Sequence, residues 1–477
     1  MTINEICLMD ATELAAKIRA RALSPVEVVD AFLGQIEKVN PSVNAYCLVL
    51  QDQARAEARA AEAAVAAGDE LGPLHGVPIA IKDLTVGQGV KTTFGTWALK
   101  DNIPDHDAVV VERTKRAGGI QLGRTNTPEF GHSGASSNNP VSGATRNPWN
   151  EVHSSGGSSG GSAAAVVTAM APVAEGTDGG GSIRMPSSAC GSFGLKPQFG
   201  RIPSGIVETH FETLLNFGPM TWTVRDAALL MSVWAGPDSR DALSLPATND
   251  DYLAAISEDV KGMKIAYSPD LGWAVDPRVR AVVENAVHAF TDLGCHVEEV
   301  PIALTQEVYD AEFGKWCAFS SSMFSKYATE ENRPHMTNYV LEMFEIGAAM
   351  SAAEYHEHDI AASRWYDHVE SVLAEYDAIV CPTLASLPPY IDTMSFGPQV
   401  VGDKQVHPWL GWALTWPFNL SMHPAASIPA GFAPGDVPVG MQIIGRRFSE
   451  TDVLRLSAAF ERARPWVGRR PAIALGG

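Results

Sequence analysis

Two glycine- and serine-rich stretches, GGSSGGS at residues 156–162 and GTDGGGSIR at residues 176–184, dominate the middle of the chain. Consecutive glycines allow backbone conformations that other residues avoid, and they let a substrate approach the chain closely. Successive backbone N–H groups can then converge on one point and bind an anion. A serine at the end of such a loop has its hydroxyl beside an oxyanion site, as acyl transfer requires. The pattern therefore predicts a serine nucleophile at Ser182.

An apolar run from Ser162 to Ala174 separates the two stretches. Glycine and serine alone would be typical of a flexible linker. A linker has no core to bury, so the apolar run instead predicts a buried helix. The run is too short to span a bilayer.

The N-terminal part of the chain has helical patterns. Ser24 to Glu27 form a capping box with proline at the first helical position, which predicts a helix from about Pro25 to Val39. Residues 51–67 are alanine-rich with one apolar face, which predicts a second helix. The apolar residues 76–81 predict a buried strand that ends at Lys82 and Asp83.

Helix and strand patterns alternate along the rest of the chain. Asp107 is predicted to cap a helix that runs to Arg116 and precedes a strand at residues 120–123. Residues 301–375 are predicted to be helical, and their 11 aromatic residues give about twice the whole-chain share of 8%. Other patterns predict strands at residues 262–267, 296–300, 376–382 and 439–444, and helices at residues 277–293 and 450–462.

These patterns favour one large α/β unit rather than separate domains. Parallel pairing is expected where a helix joins two strands, as in residues 262–300. We divide the chain into an N-terminal helical layer (1–70), a core with the catalytic residues (71–240), an α/β continuation (241–300), a helical aromatic insertion (301–375) and the C-terminal part of the core (376–477).

The charge, the cysteines and the N-terminus of the chain bear on its partners and on the compartment in which it works. Lys and Arg number 35 against 55 Asp and Glu, so the net charge is −20 and a nucleic-acid partner is disfavoured. The six cysteines are scattered without metal-ligand spacing, as expected for reduced thiols in a cytoplasmic protein. The N-terminus lacks a basic stretch followed by an apolar run, so we expect no signal peptide.

Several motifs together resemble the amidase signature family. The resemblance is dense over residues 72–235, good over 376–465, moderate in the N-terminal helices and weak over 300–375. It rests on GVPIAIKD (76–83), GRTNTPEFG (123–131), ATRNPWN (144–150), GGSSGGSAAA (156–165), GTDGGGSIRMPSSACGSFGLKP (176–197), CPT (381–383), HPAASIPAGF (423–432) and VPVGMQIIGR (437–446).

The resemblance implies a large mixed β-sheet sandwiched between α-helices, with a catalytic triad. Lys82 matches the buried catalytic lysine, Ser158 the serine after a cis peptide bond, and Ser182 the acyl-forming nucleophile. A desolvated lysine can lose its proton near neutral pH and act as the base that a serine needs. The backbone N–H groups of Gly179, Gly180, Gly181 and Ser182 match the oxyanion hole.

One position departs from the family pattern. Members commonly carry Thr, Ile or a similar side chain where this chain has Gly179, so we expect a looser loop or a wider pocket here. Candidate substrate-binding residues are His132, in the loop after GRTNTPEFG, and Trp316 and Cys317, in the aromatic segment. Helix-core packing is the plainer interpretation of Trp316 and Cys317, and loop packing that of His132.

Two other chemistries fit parts of the sequence less well. GGSSG (156–160) also matches the G-x-S-x-G elbow of α/β-hydrolases, but the preceding residues 147–151 are predicted to be a loop rather than the required strand. His356, Glu357, His358 and Asp359 are near neighbours on a predicted helix, so they cannot all face one metal ion. We expect neither a metal nor a cofactor.

The leading hypothesis is an amidohydrolase that acts on a small-molecule amide and water, without nucleic acid or membrane, alone or as a homodimer. Anilides, esters and carbamates share its acyl chemistry. KDLTV (82–86) and PWVGRRP (465–471) resemble the bacterial branch that hydrolyses nylon-type amides. One rival class is the ammonia-supplying component of a tRNA-dependent amidotransferase complex. The other is a catalytically silent binding protein, and the complete Lys82, Ser158 and Ser182 set argues against this second rival.

Overall fold

Eleven strands form one mixed β-sheet in the computed structural model, which describes residues 3–204, 208–391 and 397–475. The strands of these residues are β1 (Tyr46–Val49), β2 (Pro78–Lys82), β3 (Ile120–Thr125), β4 (Asn138–Asn139), β5 (Gly143–Ala144), β6 (Val173–Asp178), β7 (Phe193–Lys196), β8 (Asn216–Thr221), β9 (Lys264–Tyr267), β10 (His296–Glu299), β11 (Ala378–Pro382), β12 (Val400–Val401), β13 (Lys404–Gln405), β14 (Ala425–Ala433) and β15 (Val437–Gly445).

The large sheet has the order β1-β3-β2-β6-β8-β7-β14-β15-β11-β9-β10. Strand β2 runs parallel to both β3 and β6, and β9 runs parallel to both β10 and β11. The other neighbours are antiparallel. The predicted fold class, a large mixed sheet between helices, is therefore confirmed.

Helices cover the sheet and fill the segment between β10 and β11. In the described part of the chain they are α1 (Ile3–Cys7), α2 (Ala11–Arg19), α3 (Pro25–Val43), α4 (Gln51–Ala67), α5 (Val109–Arg116), α6 (Gly160–Val167), α7 (Arg184–Cys190), α8 (Val224–Trp234), α9 (Tyr252–Ala255), α10 (Pro277–Asp292), α11 (Gln306–Phe324), α12 (Asn338–Ala349), α13 (Ala352–Leu373), α14 (Pro417–Leu420), α15 (Glu450–Ala463) and α16 (Ala472–Leu475). None of these helices combines the length and apolar character that crossing a bilayer demands.

The predicted N-terminal helices are confirmed by α3 and α4. The Ser24 capping box is present, with the Ser24 N–H donating to the Glu27 carboxylate at 3.1 Å. The helix continues to Val43, four residues beyond the predicted end. Residues 46–49 form the edge strand β1, so the first 70 residues are not wholly helical.

Two local predictions are wrong. The run from Ser162 to Ala174 is not one helix, because α6 ends at Val167 and β6 begins at Val173. Asp107 does not cap α5, whose N-cap is Ala108. The Asp107 carboxylate instead accepts hydrogen bonds from the backbone N–H of Gln88 and from Lys115 Nζ, each at 2.8 Å.

The predicted β-α-β unit is confirmed by β9, α10 and β10, with Asp276 capping α10. The aromatic segment forms the helices α11, α12 and α13, which pack together in a second hydrophobic cluster. Trp316, Phe319 and Phe130 belong to this cluster. The cluster therefore places an aromatic wall beside the part of the sheet where β2 and β6 end.

Candidate active site

The carboxyl ends of the neighbouring strands β2 and β6 meet at one edge of the sheet. The two strands are parallel, with Ile79 opposite Val173. Strand β2 ends at Lys82, and β6 passes Thr177 before entering the loop that carries Ser182. Ligand sites on parallel strands gather at this end, so the sheet brings the lysine to the predicted nucleophile loop.

Lys82 is fully buried and contacts the first glycine-rich stretch directly. Its Nζ donates to Ser158 Oγ at 2.7 Å and to Thr177 Oγ1 at 2.8 Å. The peptide bond between Gly157 and Ser158 is cis, as the family resemblance implies. The backbone N–H of Ser159 donates to the carbonyl of Ser182 at 3.1 Å, which ties the two glycine-rich stretches together.

Burial controls the charge of Lys82. Desolvation lowers the pKa of Lys82 to about 7, against the opposing attraction of Glu175 and Asp178. Glu175 accepts the backbone N–H of Lys82 at 3.0 Å and the Thr85 hydroxyl at 2.9 Å, and burial raises the pKa of Glu175 to about 6. A substantial fraction of Lys82 is therefore an uncharged amine near neutral pH.

A buried ion pair fixes the loop that carries Ser182. Arg184 Nη2 lies 2.9 Å from Asp178 Oδ1, and both side chains are fully buried. The Asp178 carboxylate also accepts the backbone N–H groups of Gly181 at 2.8 Å and Ile183 at 3.2 Å. Burial alone would raise the pKa of Asp178, but the Arg184 guanidinium outweighs it and lowers the pKa to about 2. Ser182 is therefore held between two anchored backbone groups.

The C-terminal part of the chain completes this anchorage. Arg184 Nη1 donates to the Thr415 carbonyl at 2.8 Å and to Gln442 Oε1 at 3.0 Å. Asn419 accepts from Arg184 Nη2 at 2.6 Å and donates to Asp178 Oδ1 at 2.9 Å. Thr177, Asp178, Arg184 and Gln442 lie inside motifs that the sequence analysis quoted, whereas Asn419 lies outside them.

The predicted oxyanion donors need one correction. The backbone N–H of Gly181 is bonded to Asp178, so it is not available to an oxyanion. Within the described residues, the N–H groups of Gly179, Gly180 and Ser182 have no hydrogen-bond partner. A loop with three free N–H groups can stabilise a negatively charged oxygen.

The expectation that Gly179 widens the pocket is wrong. A Cβ atom at this glycine would lie 2.4 Å from Cζ3 and 2.8 Å from Cη2 of Trp316. The indole ring of Trp316 therefore occupies the space that a side chain at position 179 would need. A side chain at position 179 would have to displace the indole ring or the loop, so the glycine and the tryptophan form a complementary pair.

Ser158 and Ser182 line one small cavity of about 30 Å³. Apolar side chains dominate its wall, and each lining residue in the part of the chain that the structure describes is uncharged. Its lining residues are Leu84, Phe94, Phe130, Gly131, Ser158, Thr177, Gly179, Ser182, Leu215, Trp316, Phe319 and Phe324.

His132 lies behind this wall. Its ring packs 5.3 Å from Trp316 and 5.5 Å from Phe324 between ring centroids, and its Nε2 lies 2.6 Å from Ser320 Oγ. Burial lowers the pKa of His132 to about 3, so the ring is neutral. Of the three predicted substrate-binding residues, Trp316 lines the cavity, whereas His132 supports the residues that do.

Cys317 does not line the cavity. A Cβ atom at Gly347 would lie 2.0 Å from the Cys317 carbonyl oxygen, so this part of α11 packs directly against α12. Burial raises the pKa of the Cys317 thiol to about 12, which suppresses thiolate formation. The helix-core interpretation therefore fits Cys317.

The histidine-rich part of α13 makes surface ion pairs. His356 Nδ1 lies 3.4 Å from Asp359 Oδ2, and Asp359 also binds Lys315 Nζ at 2.5 Å. Across residues 3–204, 208–391 and 397–475, His, Cys, Asp and Glu side chains do not group in a way that could hold a metal ion.

Known proteins are similar in sequence to this chain over almost its whole length. The Amidase family model matches residues 27–454. An acylamidase of Rhodococcus erythropolis is 39% identical over 477 residues, covering 100% of this chain and 99% of the relative. A glutamyl-tRNA(Gln) amidotransferase subunit of Geobacter metallireducens is 33% identical over 485 residues, covering 97% and 98%.

Solved structures share the fold. A bacterial aryl acylamidase of the amidase signature family superimposes with a TM-score of 0.93 and 34% identity, covering 98% of this chain and 99% of that one. A 6-aminohexanoate cyclic dimer hydrolase in complex with substrate gives a TM-score of 0.88 and 30% identity, with the same coverage.

We expect amide hydrolysis to depend on the uncharged form of Lys82. Below its pKa of about 7 the lysine holds a proton and cannot accept another, so kcat/KM should rise with pH through that value. Lys82→Arg should remove activity, because arginine stays protonated. Initial rates on an amide across the acid and neutral range test this, and a flat profile would contradict the role of Lys82.

Gly179→Thr should lower kcat/KM about a hundredfold, because the new side chain displaces either Trp316 or the loop that carries Ser182. Trp316→Ala added to this variant should recover part of the loss. Gly34→Thr is the control, since a Cβ atom there meets nothing within 4 Å. If the double variant were no more active than Gly179→Thr, the two residues would not form a complementary pair.

Proposed function

Because the chain belongs to the amidase signature family and hydrolyses amide bonds, we propose that it cleaves small N-acyl arylamines through an acyl-enzyme on Ser182. The observation that carries this proposal is the shared cavity, in which both serines face a wall of aromatic side chains.

The acylation step uses the contacts of Lys82. With the lysine uncharged, its 2.7 Å contact with Ser158 can be reversed, so that the Ser158 hydroxyl donates to the Nζ lone pair. Ser182 Oγ then attacks the amide carbon, its proton passes to Ser158 Oγ, and the Ser158 proton passes to Lys82. The N–H groups of Gly179, Gly180 and Ser182 stabilise the oxygen as it becomes negative.

The same relay runs in reverse to expel the amine. Lys82 returns its proton to Ser158, and Ser158 gives its own proton to the leaving nitrogen as the carbon–nitrogen bond breaks. Water then attacks the acyl-enzyme, with Ser158 and Lys82 taking its proton. This releases the carboxylic acid and restores the Ser182 hydroxyl. Thr177 holds Nζ in place throughout, at 2.8 Å.

The cavity wall favours an aryl or alkyl group over a charged one. Aromatic rings bury large apolar areas and stack on other rings, so Phe94, Phe130, Trp316, Phe319 and Phe324 suit an arylamine or a short acyl chain. Anilides, phenyl esters and carbamates share this shape. The aryl acylamidase and the acylamidase named above are similar over their full length, which supports the same substrate class.

Free glutamine fits the cavity less well. Its α-ammonium and α-carboxylate groups would need charged or strongly polar partners, whereas every described residue that lines the cavity is uncharged. An amidotransferase role therefore receives less support than hydrolysis, although the amidotransferase relative from Geobacter metallireducens matches the chain almost from end to end.

We further propose that the enzyme works in the cytoplasm, alone or as a homodimer, and without nucleic acid. Its net charge of −20 disfavours phosphate backbones. All six cysteines are free, as expected in a reducing compartment.

The test is a comparison of substrates on the purified enzyme. Rates are measured on acetanilide, a nitro-substituted anilide, a phenyl carbamate and glutamine. We expect kcat/KM on the anilides to exceed that on glutamine about a hundredfold or more, since the cavity leaves the charged groups of glutamine unpaired.

Ser182→Ala should lower anilide hydrolysis by about 10³-fold or more. Ser192→Ala is the matched control, because the Ser192 hydroxyl is buried without a hydrogen-bond partner in the described chain and lies outside the cavity. Equal or better turnover of glutamine would overturn the substrate class in favour of an amidotransferase component.

A further inference from the structure

Glu312 is a fully buried carboxyl group in α11 that the catalytic steps above do not use. Neither of its carboxyl oxygens has a hydrogen-bond partner among the described residues. An ionised carboxylate in such a place would lose its hydration without gaining a partner. A buried carboxyl group without a hydrogen-bond partner, in a helix beside the proposed active site, therefore suggests a specific role.

The carboxyl group lies against the oxyanion loop. A Cβ atom at Gly180 would be 3.2 Å from Glu312 Oε1. Trp316 follows one turn later on the same helix and covers Gly179. Helix α11 therefore supports two successive glycines of the loop, one through an indole ring and the other through a carboxyl group.

Three elements present charged or titratable groups to Glu312. The catalytic loop contributes Asp178 and Arg184, the segment before β8 contributes Glu212, and α11 itself contributes Lys315 and, one turn earlier, Tyr309. Two of the five are carboxylates, which oppose a further negative charge nearby.

Neither cation among these groups hydrogen-bonds to Glu312. All three guanidinium nitrogens of Arg184 already donate to Asp178 or to groups of the C-terminal segment. Lys315 Nζ donates to Asp359 at 2.5 Å and to the Tyr355 hydroxyl at 3.3 Å. Burial, only partly offset by Lys315, raises the pKa of Glu312 well above its ordinary value.

We propose that Glu312 is a positioning residue that works in its protonated form. Its uncharged carboxyl group supports Gly180 without placing a second negative charge beside the oxyanion, and its ionisation in alkali stops acyl transfer. The proposal rests on the acyl-enzyme mechanism proposed above.

The expected effects of Glu312 ionisation on kcat and KM follow from the step at which the substrate oxygen becomes negative. The bound amide is neutral, whereas the tetrahedral intermediate carries a negative oxygen beside Gly180. Ionised Glu312 would repel that oxygen but not the bound substrate, so kcat should fall and KM should stay nearly constant. The acid limb of the profile belongs to Lys82, and the alkaline limb to Glu312.

The experiment compares pH profiles of the full-length wild type, Glu312→Gln and Glu212→Gln. Glutamine at 312 keeps the shape and cannot ionise. We expect wild-type kcat to fall about tenfold per pH unit at the alkaline end, as for loss of one required proton. Glu312→Gln should match the wild type near neutral pH within about threefold and lose this alkaline fall.

Glu212→Gln is the control, because Glu212 is a neighbouring carboxyl group whose hydrogen bonds, within the described residues, come from the backbone N–H groups of Thr213 and Leu214. It should keep the wild-type alkaline limb. Circular dichroism across the same pH range separates loss of catalysis from unfolding. Should Glu312→Gln fail to fold, Glu312→Met, of similar length and uncharged, takes its place.

An unchanged alkaline limb in the folded Glu312 variants would overturn the proposal, as would removal of the limb by Glu212→Gln. The profiles are also read on an activated phenyl ester, which needs the same oxyanion donors. Inactivity on anilides with activity on the ester would count against the proposed amide substrates and would still show whether Glu312 sets the limb.

Discussion

The buried ion pair between Asp178 and Arg184 is the interaction on which the proposed active site depends. One carboxylate binds the guanidinium, two backbone N–H groups of the nucleophile loop and the amide of Asn419. Breaking such a pair on one side leaves a buried charge, at a penalty of roughly 3–5 kcal/mol. The pair therefore fixes the loop around Ser182 and joins it to the C-terminal segment of the fold.

The same low-polarity surroundings produce opposite charge states at neighbouring sites. Asp178 stays ionised because a cation contacts it directly, whereas Lys82 Nζ hydrogen-bonds, among the described residues, to the hydroxyl groups of Ser158 and Thr177. An amine with neutral partners loses its proton easily, and that property makes a lysine usable as a base. Burial therefore leaves a substantial fraction of Lys82 uncharged, whereas the direct contact with Arg184 keeps Asp178 ionised.

Much of this architecture could be predicted from the sequence, and the reasons for the failures are physical. The capping box at Ser24 and the alanine-rich pattern of residues 51–67 are local signals, so the start of α3 and the whole of α4 were predicted closely. Strands β6, β7 and β8 are short and contain glycine or polar residues. Their sequences therefore lack the alternation of apolar and polar residues that predicts a strand. The apolar run after Ser162 contains both a helix and a strand, which an apolar pattern alone does not distinguish.

The proposed catalytic trio was recognisable because its motifs are local, and the structure brings Lys82 and Ser158 into contact and sets Ser158 and Ser182 in one cavity. The effect of Gly179 was not predictable, since it depends on Trp316, a residue distant in sequence that packs on the glycine. The hydrogen bond from the Gly181 N–H to Asp178 could not be predicted either, because a glycine motif does not show which N–H groups bind other residues of the chain.

The most direct test of the account is to identify the residue that becomes acylated. The enzyme is mixed with a slowly deacylating phenyl carbamate, quenched and digested with trypsin, which releases residues 147–184 as one peptide holding both Ser158 and Ser182. Fragmentation of this peptide in the mass spectrometer locates the added mass. The account predicts the carbamoyl group on Ser182, with none in Ser182→Ala. A label on Ser158 or on a cysteine, or full turnover by Ser182→Ala, would contradict it.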